Sequence, residues 1–269
     1  MTQKLSLLVP VRNGERHIRQ TLSTLSTIEN SSIIVSNNFS TDKTADILEN
    51  LKVSKILKPT NPLGMIENWN FITKSCETEF FKLVSHDDLL NQETTLNQID
   101  ELNKYPDLVF VYSRRDFLFE TNKRVFMKKN RRINRVSISN PVELIKEVCR
   151  TGTNPIGETI CVTFRTSKVD TSDLWRDIPM VYELETYMNC LRLGPGKLVD
   201  GSAGGFRIHS RGYSASIGNF FTLASNIRLW AKNQPEFSNL AARTKFALEI
   251  SSRIIAIKKI AVFAILKLL

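Results

Sequence analysis

Two adjacent carboxylates, Asp87 and Asp88, end the apolar run "FFKLVS" and are followed by Leu89 and Leu90. Neighbouring acids repel unless a cation shares them with a ligand. A hard divalent ion, Mg2+ or Mn2+, held by one or two carboxylates plus phosphate oxygens, suits that pattern. The plainer alternative is a surface turn with two solvated acids. A second pair of acids, Glu183 and Glu185, lies in "YELETYMNCLRL". Leu184, Met188 and Leu191 recur there at helical spacing and define a buried face. Glu183 and Glu185 then flank that face about 200° apart, so only one can point into a given cleft. Both are equally ordinary as solvated acids near a helix N-terminus.

The segments that must position these acids alternate between strand and helix. Strands are predicted at 4–11, 31–38, 55–59, 80–85 and 108–113, and helices at 15–26, 40–51, 64–76, 91–105 and 182–193. Such alternation argues for βαβ units and a mostly parallel central sheet flanked by helices. Right-handed crossovers bring the strand C-terminal ends to one edge, where open sheets bind ligands. Asp87 and Asp88 fall at that edge. So do Pro10, Arg12 and Asn13 after the first strand, and Asn37, Asn38, Ser40 and Asp42 after the second.

The 269 residues carry a formal charge of +10, which calls for an anionic partner. Nucleic acid is not expected, because the basic segment 122–135 interleaves few aromatic residues. That segment reads either as a solvated loop or as a hairpin flap over diphosphates. The four cysteines are scattered without a CxxC pair, as in a reducing compartment. No signal-like leader is visible, and no apolar run approaches the roughly 20 residues of a membrane span. The expectation is a cytoplasmic protein. The tail "SSRIIAIKKIAVFAILKLL" is apolar but broken by lysines, a pattern that suits the surface of an anionic membrane. The alternative is a helix packed on protein.

Six segments in order carry a resemblance: "LSLLVPVRNGERHIRQTLSTL", "IIVSNNFSTDKTADIL", "NPLGMIENWNFITKSCETEFFKLVSHDDLL", "NPIGETICVTFRTS", "ELETYMNCLRLG" and "FRIHSRGYS". Together they resemble family 2 of the inverting nucleotide-sugar glycosyltransferases, which have the GT-A fold. The resemblance implies an α/β GT-A domain over 1–215, with a basic helical extension over 216–269. It implies transfer of a sugar from a nucleoside-diphosphate sugar to a glycan or lipid-linked acceptor, as in surface-polysaccharide synthesis. Asp88 would be a metal ligand, joined by His209. Asp87, Asn68, Arg207 and Arg211 would serve the nucleotide sugar, and Gly157 and Glu158 the acceptor side. Glu185 aligns with the family's catalytic Glu, with Glu183 as the second candidate. Three departures stand out: Asn37 and Thr186 replace the usual Asp, and Ser85 replaces the first Asp of D-x-D. A sugar-phosphate nucleotidyltransferase would want a Gly-rich phosphate loop after the first strand, where "VPVRNGERH" has one glycine. A degenerate transferase fold that binds sugar or nucleotide without catalysis is the non-enzyme alternative.

Overall fold

The computed structural model describes residues 4–120, 125–128, 137–209 and 220–268. Its first half follows the alternation in the sequence. Strand β1 (Leu5–Val11), helix α1 (Ile18–Leu25), β2 (Ser31–Asn37), α2 (Thr44–Glu49), β3 (Lys55–Leu57), α3 (Met65–Thr73) and β4 (Phe80–Leu83) come in turn. The two-residue β5 (Leu89–Leu90), α4 (Gln92–Lys104), β6 (Phe110–Glu120) and β7 (Val125–Lys128) follow. Then come α5 (Pro141–Thr151), β8 (Val162–Arg165), α6 (Tyr182–Leu193) and β9 (Gly196–Ile208). The C-terminal part holds α7 (Phe220–Asn233), the short α8 (Pro235–Ser238) and α9 (Ala242–Leu268).

Local chemistry sets several boundaries. Asn91 and Asn140 cap α4 and α5 by accepting the N–H groups of Thr94 and Glu143. Side-chain oxygens at this position satisfy donors that the helix itself leaves unpaired. Helix α5 ends at Gly152, whose φ of 69° is the left-handed conformation that stops a helix. A Cβ there would lie 2.5 Å from the backbone of Ser251, so α9 crosses directly over this glycine.

The described strands form one sheet in the order β3-β2-β1-β4-β8-β6-β9-β5, with β7 paired to β6. Pairing is parallel across β3-β2-β1-β4 and between β6 and β9, and antiparallel wherever β5, β7 or β8 takes part. Thus β1, β2, β3, β4, β6 and β9 all run one way. Their C-terminal ends share an edge, and that edge carries the site. The strand predicted at 108–113 continues to Glu120, which brings Glu120 to the same edge. The core beneath is aromatic at its centre, with Phe81 stacked on Phe164 at 5.0 Å and Trp69 edge-on to Trp175 at 5.1 Å.

Candidate active site

A pocket of about 840 Å³ opens at this edge. Its floor is the chain leaving β1, from Pro10 to His17. Asn13 has a φ of 55°, a conformation that Asn tolerates better than most residues. Its backbone N–H donates to Ser40 Oγ at 2.9 Å, and its side-chain oxygen accepts the Thr41 N–H at 2.8 Å. The turns after β1 and β2 are thereby locked together. Asp42 completes the lock by accepting the N–H groups of Glu15 and Thr44, each at 3.0 Å. Burial opposes its ionisation, but these bonds and the Thr44 hydroxyl hold its carboxyl below the usual range. Asn38 closes a reciprocal pair with the backbone of Leu63, at 2.8 and 2.9 Å. Asn68 reaches the pocket from α3 and accepts the Ser36 hydroxyl at 2.6 Å.

The opposite wall is the acidic turn and the end of β9. Asp87 and His209 face each other there, with Oδ2 and Nε2 3.1 Å apart. Burial works against the Asp87 carboxylate, but His209's hydrogen bond and the charges of His86 and His17 hold its carboxyl low. All three histidines of the chain thus surround Asp87. Burial, reinforced by Arg207, pushes His17 down to about 4, and burial also lowers His86. Asp88 points the other way. Its Oδ1 accepts the Arg207 backbone N–H at 2.8 Å, and its Oδ2 is buried without a partner. Burial first, and Asp87 second, raise its carboxyl well above the ordinary range.

Arg207 ties this wall to the rest of the domain. Its guanidinium donates to the Asp87 carbonyl at 2.7 Å, to Glu120 at 2.6 Å and to Gln20 at 2.7 Å. Glu120 also holds Arg16 at 2.6 Å. A buried arginine with every arm engaged is a structural brace, and losing one partner would leave an uncompensated charge.

A second group of titratable residues lies behind Asp88. Arg115 on β6 pairs with Glu158, with one bond at 2.8 Å. Glu183 on α6 is partly buried beside them, and burial together with the Glu158 charge raises its carboxyl to about 7. Glu158 acts electrostatically on both Asp88 and Glu183, and so connects the acidic turn to α6. Lys259 of α9 approaches the same group. Burial lowers its pKa while Glu158 and Glu183 pull it up. The hydroxyl of Tyr187 lies buried here with no hydrogen-bond partner.

The structure sorts the sequence-derived candidates. Pro10, Arg12, Asn13, Asn38, Asp42, Asn68, Asp87, Arg207 and His209 line the pocket. Asn37 and Ser40 stand behind the wall and brace its turns. Arg211 and most of the basic segment 122–135 lie outside the described residues. Side-chain direction differs from two expectations. Asp88 faces inward, and Asp87 is the acid presented to the pocket beside His209. Glu185, the favoured base, accepts the Trp230 indole N–H at 2.7 Å and a Gln234 amide hydrogen at 3.4 Å, facing α7. Glu183 occupies the flank toward Glu158. Thr186 is fully buried and donates to the Leu174 carbonyl at 3.2 Å, away from the pocket. Sequence reasoning missed His17, His86, Glu120 and Arg115. "HDD" was a visible signal for His86, whereas Glu120 gave none until β6 was known to extend that far.

The residues present can be tested against a divalent cation. Among the described residues no three His, Cys, Asp or Glu side chains converge as a ready metal cage. Asp87 and His209 offer one oxygen and one nitrogen on the pocket wall. Such a pair fits a cation that takes its remaining ligands from a diphosphate and water.

The fold accords with comparisons against known proteins. The profile of glycosyl transferase family 2 matches residues 6–171. The chain belongs to that family. Over 130 residues it is 29% identical to an uncharacterized glycosyltransferase of Rickettsia typhi, covering 46% of this chain and 40% of that protein. Over 101 residues it is 35% identical to the poly(ribitol-phosphate) beta-N-acetylglucosaminyltransferase TarS of Staphylococcus aureus. That match covers 34% of this chain and 17% of TarS, so the chain matches less than half the length of either relative. TarS residues 1–349 in complex with UDP-GlcNAc superpose with a TM-score of 0.64 at 17% identity, covering 92% of this chain and 71% of that one. The mannosyltransferase PcManGT from Pyrobaculum calidifontis, in complex with GDP-Man and Mn2+, gives 0.63 at 14% identity, covering 98% and 75%.

Proposed function

We propose that the protein is a metal-dependent, inverting glycosyltransferase. It moves a sugar from a nucleoside-diphosphate sugar to a hydroxyl of a glycan or lipid-linked acceptor, in surface-polysaccharide assembly. The observation that carries the reading is the pairing of a strand-end pocket with a carboxyl group tuned to about 7, Glu183, one residue group beyond its acidic wall. The donor's nucleotide would lie over Arg12, Asn13, Asn38 and Asp42, with its diphosphate toward Asp87 and His209. A divalent cation held by Asp87 and His209 would offset the negative charge of the departing diphosphate.

Inversion is one displacement at the anomeric carbon. Glu183 takes the proton of the acceptor hydroxyl as the new carbon–oxygen bond forms and the bond to the diphosphate breaks. A base titrating near neutrality suits that task. Arg115 holds Glu158 in place, and Glu158 keeps Glu183 from becoming too weak a base. Inversion requires a base on the side of the anomeric carbon opposite the diphosphate, and that is the place this reading gives to Glu183.

The test is donor consumption. Release of nucleoside diphosphate from one member of a panel of UDP- and GDP-sugars, dependent on Mn2+ and lost in Glu183→Gln, supports the reading. Nucleotide binding with no turnover against any acceptor would point to the non-catalytic alternative.

A further inference from the structure

The long C-terminal helix has two faces with different duties. Leu248, Ser252 and Ala256 are buried against the domain. The Ser251 hydroxyl donates to the Cys149 carbonyl at 2.8 Å, fixing α9 on the end of α5. On the other side Phe246, Ile250, Ile254, Ile257 and Ile260 are between 42% and 65% exposed. Their spacing of four, four, three and three residues puts them along one stripe about 21 Å long. Arg243, Arg253 and Lys258 are exposed on or beside the stripe. The acid Glu249 is engaged elsewhere, by Lys232 at 2.6 Å and Arg228 at 3.5 Å from α7.

We propose that this face of α9 docks the protein on an anionic membrane surface. Apolar side chains entering the headgroup boundary, with cations among and beside them, are the recognised chemistry of an in-plane helix. None of the helices, over the described residues, is long and apolar enough to cross a membrane, which suits a helix lying in the interface. A second copy of the chain is a poorer occupant. Two-fold pairing would set Arg243, Arg253 and Lys258 of one copy against those of the other, and like charges so placed repel.

The docking also deepens the acceptor assignment, in a part that rests on the glycosyltransferase reading. Lys259 projects from the inner side of the same turns that present Ile257 and Ile260, and it senses Glu158 and Glu183. The proposed base therefore lies on the inner side of α9, across at least one helix diameter, roughly 10 Å, from the bilayer surface. A lipid-linked acceptor would reach it without leaving the membrane.

The test needs no sugar. The full chain is sedimented with vesicles of phosphatidylcholine alone and with vesicles of equal parts phosphatidylcholine and phosphatidylglycerol. Binding should be at least tenfold stronger to the anionic vesicles and should weaken with salt. Arg253→Gln with Lys258→Gln should weaken it roughly 25-fold, each cation near the surface contributing about a factor of five. Ile254→Asp with Ile257→Asp should abolish it while leaving circular dichroism and nucleotide binding unchanged. Failure of the folded wild type to sediment with either vesicle overturns the proposal, and equal binding to both overturns its anionic part. A dimer in light scattering that Ile254→Asp with Ile257→Asp dissolves would reassign the face to a second copy.

Discussion

The indole N–H of Trp230 donates to Glu185 at 2.7 Å, and this bond fastens α6 to α7. Glu185 is thereby engaged with α7, and the proposed base is Glu183 on the opposite flank. Glu185→Ala should cost about 1–3 kcal/mol, because a buried donor loses its acceptor. A lowered urea midpoint with turnover largely retained is the expected result. Glu183→Gln should instead cut kcat by about 10²–10⁴ with the melting temperature and donor Kd nearly unchanged. Turnover assays and unfolding curves on the two variants decide between them.

The acidic turn makes a similar division. Asp87→Ala or His209→Ala should weaken Mn2+-dependent nucleotide binding by about 10–100-fold, the usual effect of disturbing a metal site. Asp88→Asn keeps an oxygen for the Arg207 N–H and should bind within a few-fold of wild type. Calorimetry with and without Mn2+ gives the comparison directly. Greater loss in Asp88→Asn than in Asp87→Ala would reverse the assignment made from side-chain direction.

The proposal of Glu183 as base also predicts a pH profile. A base with a pKa of about 7 is protonated and idle below that value. The rate kcat/KM should rise about tenfold per pH unit up to about 7 and level off above it. Burial sets the midpoint first, Glu158 raises it further, and Arg115 and Lys259 lower it. Lys259→Met removes a positive charge that favours the carboxylate, so its profile should move to higher pH. A profile unmoved by that change would separate Lys259 from the base.

Lys82 lies at the centre of β4, fully buried, with its Nζ donating to the Ile160 carbonyl at 2.9 Å. Burial brings its pKa from 10.5 down to about 7. Between those values the unfolded chain binds a proton that the folded chain does not, so this group makes stability rise with pH across that window. Below about 7 both states are protonated and the dependence ends. Relative to Lys82→Met, the unfolding free energy of wild type should gain about 1.4 kcal/mol per pH unit between pH 8 and 10. Urea denaturation of both proteins at several pH values measures it.

The strands and helices of the first hundred residues were legible because each is local. β1 and β2 are short apolar runs, and α4 has an Asn cap and a helical period. The order of strands beyond β4 was not legible, since β8 enters between β4 and β6 from a segment more than fifty residues further on. The sequence marked Asp87, Asp88, Glu183 and Glu185 as chemically interesting and could not orient them. The helical period shows that Glu183 and Glu185 diverge, but which flank meets the site depends on α7, α9 and the Glu158 loop. The inward turn of Asp88 depends on the Arg207 N–H, supplied by a strand far along the chain. Glu120 reads as an ordinary acid until β6 and β9 bring it to Arg207.

That brace has a consequence for the protein during its synthesis. Asp88 waits for a backbone donor 119 residues downstream, and Gln20 for a guanidinium 187 residues downstream. A nascent chain that has emerged only as far as α4 has the pocket-lining turns after β1 and β2 and lacks the β9 wall opposite them. Donor affinity should therefore arrive late and abruptly, once β9 is threaded beside β6. Because a ligand that binds only the finished fold stabilises it by mass action, cellular nucleotide sugar would favour completed molecules over truncated ones.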